Sequence, residues 1–192
     1  MTMRKKIIVV LTLLLVVCSM GFFYNPSIEQ SKIREVYNYS KSHNMNTDIA
    51  ILCDFGIHSG KKRFMVYDFN KKKVIFSSLC AQGKGQGFSN KEGSFCSSLG
   101  YYKIGYYHKM SSGLWSYSLI GLSTTNSNAL KRGILIHPYP TVLDIPIYPL
   151  QTSRKSSKGC FVISPIKFLI LSKIIKKHSS KPILMYSYIS KD

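Results

Sequence analysis

The sequence predicts a β-rich α+β domain with helices at its edges, and three observations carry that reading. Short apolar runs of strand length recur between Ile49 and Ile189. Turns bearing Gly, Asn or Pro separate them, and helical periodicity is confined to one stretch near the N-terminus and one after Pro165. At 192 residues and 45% hydrophobic composition the chain can bury one sizeable core, which excludes a disordered chain.

The elements follow in order. Arg4-Lys5-Lys6 and the apolar run from Ile7 to Val17 have the layout of a secretory signal, with cleavage placed after Gly21. The alternatives are an uncleaved anchor to the inner membrane through residues 4–23 and a buried helix of the fold. With a signal or an anchor the rest of the chain is expected to be exported, to the periplasm or cell envelope. Residues 22–46 read as an N-terminal helix and linker: Ser27 is the expected N-cap and Gln30 its capping-box partner. Residues 47–192 then form the main domain. Asp48–Asp54 has strand length, and Gly56 to Gly60 turns the chain. Arg63–Phe69 and Lys73–Leu79 make a hairpin about Asn70-Lys71-Lys72. Residues 80–100, rich in Gly and Ser, read as a long loop of the kind that often carries function. Tyr101–Tyr107, Tyr117–Leu122 and Gly133–His137 read as strands, and four prolines make the segment after His137 irregular. Cys160–Ile163 is a short strand, Pro165 opens a helix ending near Lys176-Lys177, and Ile183–Ile189 closes the sheet.

Charge narrows the partners. Lys and Arg number 27 against 8 Asp and Glu, a formal net charge of +19. Such a chain is attracted to polyanions, including anionic envelope polymers. Export and the lack of a basic aromatic strand motif argue against nucleic acid. So few acids leave little for metal cages or carboxylate pairs. No cysteine pair has CxxC spacing and no Cys/His cluster has zinc spacing, so neither metal nor cofactor is expected. Cys53 reads as a small buried hydrophobe, while Cys80 and Cys96, flanking the Gly-rich loop, are candidates for a disulfide.

The segment Ser156-Ser157-Lys158-Gly159-Cys160 stands out. A glycine before a cysteine lets backbone approach a substrate, and free N–H groups in such a turn can hold an oxyanion. A thiol needs a base, and His137, at the end of an apolar strand and followed by proline, is best placed. His43, His58, His108 and His178 fall at helix ends or expected turns. Read alone, Cys160 before Phe-Val-Ile also fits a core residue, and His137 a structural one.

Ser157-Lys158-Gly159-Cys160 resembles the Ser-x-Gly-Cys signature of the L,D-transpeptidases, cysteine enzymes that cross-link peptidoglycan, and His137 falls where that family has its motif histidine. Phe88-Ser89-Asn90, Gly93-Ser94, Ser97-Ser98-Leu99-Gly100, Ser118 to Leu122, Asn126, Asn128-Ala129 and Arg132 to His137 resemble, in order, the murein L,D-transpeptidase branch. The resemblance covers roughly residues 47 to 164. Gln82-Gly83 stands where that branch has a His-Gly pair, and Lys158 where an aromatic is usual. The resemblance implies an L,D-transpeptidase-like domain over 47–192, with Cys160 as nucleophile and His137 as base. Peptidoglycan stem peptides would be the substrate, with backbone N–H groups near Gly159 and Cys160 holding the oxyanion. Ser157, Ser89, Asn90, Ser98 and Tyr139 are the further residues it suggests around the substrate. Asp144 is the nearest acid to His137 in sequence, although a main-chain carbonyl can orient the family's base. An L,D-carboxypeptidase on the same scaffold, or a silent wall-binding protein, are the alternatives.

Overall fold

The computed structural model describes residues 3, 5–10, 12, 26–152 and 157–190. Residues 5–10 are helical and exposed; the expected cleavage point after Gly21 lies outside the described residues, as does Ser156. Among the described residues no helix is long and apolar enough to cross a membrane.

Eight strands form one sheet: β1 (Ile49–Asp54), β2 (Phe64–Asp68), β3 (Lys73–Ser78), β4 (Gly100–Lys109), β5 (Trp115–Gly121), β6 (Leu135–Pro138), β7 (Phe161–Ile163) and β8 (Leu184–Tyr188). Their order is β3-β2-β1-β8-β4-β5-β6-β7. The outer strands β3 and β7 nearly meet: Ala81, just past β3, exchanges both backbone hydrogen bonds with Val162 of β7 (2.8 and 3.1 Å). The sheet is therefore close to a barrel, and the long loop after β3 begins at its seam. Two helices flank it, α1 (Gln30–Ser42) and α2 (Pro165–Lys177).

Burial on both faces explains why β1 is apolar without alternation. Ile49, Ile51 and Cys53 point into one core with Phe64, Phe161 and the α2 residues Phe168, Leu171 and Ile175. Ala50 and Leu52 point into a second core with Val36 of α1, Met65 and Leu184. A run of stacked rings, Tyr39 on Tyr101 on Tyr186 on Tyr188, continues under α1. Tyr101 donates to Glu35 of α1 at 2.6 Å. Ser164 caps α2 by accepting from the Lys167 N–H, with Pro165 in its first turn, as expected.

Four details differ from the sequence reading. Helix α1 starts at Gln30 behind Glu29, and no side chain caps it; Ser27 lies exposed in the extended lead-in. Strand β4 runs on to Lys109, so His108 is a strand residue, not a turn residue. A 3-10 turn, Thr124–Asn126, follows β5 and is capped by reciprocal bonds between Ser123 and Asn126. Cys53, Cys80, Cys96 and Cys160 are all free thiols, so Cys80 and Cys96 are not joined.

Candidate active site

Strands β6 and β7 run parallel, with Ile136 opposite Phe161 and His137 opposite Val162. That register sets Cys160, one residue before β7, beside Leu135, two residues from His137 and on the same face of β6. Both side chains line one cleft of about 350 Å³, together with Arg132, Gly133, Tyr139 and Lys158 and the β4–β5 turn residues Met110, Ser112 and Leu114. No acid lines it.

The imidazole is buried and oriented. His137 Nδ1 lies 3.0 Å from the carbonyl of Pro138, so that nitrogen donates and Nε2 is left as the basic one. A main-chain carbonyl thus does what an acid does elsewhere; Asp144 instead accepts from the Ser164 hydroxyl. Burial lowers the His137 pKa below its ordinary value, partly offset by the Pro138 carbonyl. The Cys160 thiol is half-buried and its Sγ lies 3.6 Å from the Gly133 carbonyl. Burial pushes this thiol up to about 11, against the pull of the Leu135 N–H, the Arg132 guanidinium and its own N–H. At neutral pH the resting pair is therefore a neutral thiol and a neutral imidazole.

Long-range bonds hold the nucleophile turn. Gly159 sits at φ +127, and a Cβ there would come within 2.8 Å of both the Cys96 carbonyl and Ile134 Cδ1, so only glycine fits. Its carbonyl accepts from Ser97 Oγ, which in turn accepts from the Gly83 N–H. The Lys84 N–H donates to the Ser157 carbonyl. Ser157 is buried: its hydroxyl donates to the Cys160 carbonyl at 2.7 Å and accepts from the Gly159 N–H at 3.2 Å. The signature serine fastens the turn, and the Gly159 N–H is already engaged. The long loop after β3 is thus the brace of the Cys160 turn.

The remaining expected substrate residues fall in different places. Tyr139 lines the cleft. Ser98 is fully buried beneath the loop, its hydroxyl 2.9 Å from the Tyr102 hydroxyl. Ser89 accepts from the Lys91 N–H in a local turn. Asn90 ties the loop to the segment after β5, donating to Thr124 and Ser127 and accepting from the Asn128 N–H. These three side chains hold the loop and do not line the cleft. Gln82 accepts from Arg63, a buried guanidinium that also donates to the Cys80 carbonyl.

Arg132 was not singled out from sequence as a site residue. Its guanidinium lines the cleft while donating to the Ser89 carbonyl at 2.8 Å and the Cys96 carbonyl at 2.5 Å. Its signal was its place on the approach to His137, in Arg132-Gly133-Ile134.

Comparison with known proteins gives the family of the chain. A family model described as the L,D-transpeptidase catalytic domain matches residues 24–188. The chain belongs to that family. Among solved structures it is similar to the helical cell shape determining protein Pgp2 from Campylobacter jejuni. The identity is 16% and the TM-score 0.50, over 75% of this chain and 48% of that one. The K307A mutant of Pgp2 gives 16% and 0.51, over 77% and 49%. An L,D-transpeptidase (residues 123-326) from Xylanimonas cellulosilytica DSM 15894 gives 11% and 0.43, over 73% and 60%. At these identities the Pgp2 likeness shows the fold alone, and the chain spans about half the length of Pgp2. No curated protein matches the sequence.

Proposed function

We propose that this L,D-transpeptidase-family domain acts on peptidoglycan in the cell envelope, with Cys160 as nucleophile and His137 as general base. The observation that carries the reading is the shared cleft, in which a thiol and an imidazole held by the Pro138 carbonyl sit among cations and no acid. Arg132 and Lys158 give that cleft the charge to attract the carboxylates of a stem peptide. His137 Nε2 takes the thiol proton as Sγ attacks the carbonyl of an L-centre to D-centre peptide bond. The tetrahedral oxyanion needs donors. Because Ser157 already engages the Gly159 N–H, that role passes to the N–H groups of Cys160 and Leu135, which lie beside the sulfur. The intermediate collapses to a Cys160 thioester, and the imidazolium returns its proton to the leaving D-amino acid. An amine of a neighbouring stem then attacks the thioester, losing a proton to His137 and freeing the thiol.

The test is product analysis by mass after incubating the domain with tetrapeptide muropeptides. Cross-linked dimers are the expected product. Trimmed tripeptides alone would assign the carboxypeptidase reaction, in which water is the acceptor. Neither product, with retained pelleting on sacculi, would leave a wall-binding protein and overturn the enzyme reading.

A further inference from the structure

A second cavity lies outside the catalytic cleft. It is a groove of about 530 Å³ between the stem of the β4–β5 hairpin and the chain from the end of α2 into β8. Lys103, Ile104, Tyr106 and Tyr107 line one wall, and Lys176 and Lys181 the other; among the described residues no Asp or Glu lines it. Tyr106 of the groove is 74% exposed, and beside the groove Trp115, stacked on the lining residue Tyr107 at 4.8 Å and 5°, is 47% exposed. The Lys176 ammonium sits 5.0 Å from the centre of the Tyr107 ring. Nothing in the reaction described above uses these groups.

Flat exposed rings set among cations fit a particular ligand chemistry. The C–H faces of pyranose rings pack on the electron-rich faces of aromatic side chains, and ammonium groups pair with carboxylates. We propose that this groove is a second binding site, for an acidic glycan strand. Tyr106 and Trp115 stack on sugar rings, and Lys103, Lys176 and Lys181 hold the strand's carboxylates. The choice of a glycan rests on the peptidoglycan reading of the catalytic cleft. The hairpin joins the two places: its stem lines the groove, while its turn, Met110, Ser112 and Leu114, walls the cleft that holds Cys160. A strand whose sugars in the groove have lost their stems, and so carry free lactyl carboxylates, would present the stems it keeps further along toward the hairpin turn and the thiol.

Trp115 is the only tryptophan of the chain, and its stack on Tyr107 lets its emission report on the edge of the groove. The probe is glycan strand freed of stem peptides by an amidase, which leaves lactyl carboxylates, titrated into the full chain carrying Cys160→Ala. Neutral chitin oligosaccharide is the comparison. A saturable change in Trp115 emission is expected with the acidic strand, weaker with the neutral one and weaker at high salt. Reversing two charges together, Lys103→Glu with Lys176→Glu, should cost roughly tenfold in affinity. The same double variant on the Cys160 background should process soluble muropeptides like the parent, which shows it folded. No emission change, equal binding of the neutral oligosaccharide, or unchanged affinity of the charge-reversed protein would overturn the proposal. The titration needs no turnover. Lost binding with normal muropeptide processing would sink the groove alone, and normal binding without processing would sink the catalytic reading alone.

Discussion

Cys160 should be a sluggish nucleophile in the free protein, and its response to pH tests why. With the thiol pushed up to about 11 by burial, the thiolate fraction at pH 7 is about 300-fold below that of an ordinary cysteine of pKa about 8.5. A more basic thiolate is intrinsically more nucleophilic, which recovers roughly tenfold at a Brønsted slope near 0.4. Alkylation of Cys160 by iodoacetamide at pH 7 should therefore run about 30-fold slower than that of a free thiol of similar access. The rate should climb by about tenfold per pH unit from pH 7 to 10 without levelling off, as expected for a group far below its pKa. The assay is timed alkylation, acid quench, digestion and mass quantitation of the peptide bearing Cys160. A plateau with its midpoint at or below neutral pH would refute the reasoning. It would mean that a thiolate–imidazolium pair already exists before substrate binds, and that proton transfer to His137 is no part of the chemical step.

Burial lowers the His137 pKa, and a base with a lowered pKa stays unprotonated to lower pH. The acid limb of kcat/KM should therefore lie below pH 6.5, the unshifted value; a midpoint above it, in a pH-rate profile, would contradict the assigned environment. His137→Gln should lower kcat by about 10²- to 10⁴-fold, the usual reach of a general base, with an unchanged circular dichroism spectrum. Gly159→Ala places a methyl against the Cys96 carbonyl at a left-handed φ, and should cost about 1–3 kcal/mol in urea unfolding. Arg132→Ala removes charged donors from the Ser89 and Cys96 carbonyls. It should cost about 1.5–3 kcal/mol and speed proteolytic cleavage within residues 80–100.

What could be read from the sequence follows from how locally each feature is determined. The strands β1, β2 and β8 show as apolar runs because a strand buried on both faces needs no alternation. Pro165 marks the start of α2 because a residue without an N–H suits the first turn of a helix. Cys160 and His137 stood out because each pairs a reactive side chain with a backbone signal, a glycine before one and a strand ending in proline for the other. Other features depend on contacts far apart in the chain. The pairing of Ala81 with Val162 leaves no pattern at either position, yet it nearly closes the sheet and brings the loop onto the Cys160 turn. For Ser89, Asn90 and Ser98 the sequence left two readings open, substrate contact and turn-stabilising bonding, because polar residues in a glycine-rich loop suit both. Only the partners of their side chains, Lys91 for Ser89, Thr124 with Asn128 for Asn90 and Tyr102 for Ser98, show that they hold the loop. Arg132 escaped notice because its targets are carbonyl groups, which no side-chain pattern records. The extension of β4 to Lys109 was hidden because Tyr106 and Tyr107 are both exposed, so hydrophobic alternation breaks there.

The most direct test of the central claim is the mass of the intact protein after brief mixing with a tetrapeptide muropeptide and an acid quench. The account predicts an adduct equal to the substrate less its terminal D-amino acid, mapped to Cys160, labile to hydroxylamine and missing from Cys160→Ala. Turnover of the same substrate by Cys160→Ala, or an adduct carried by any other residue, would contradict it.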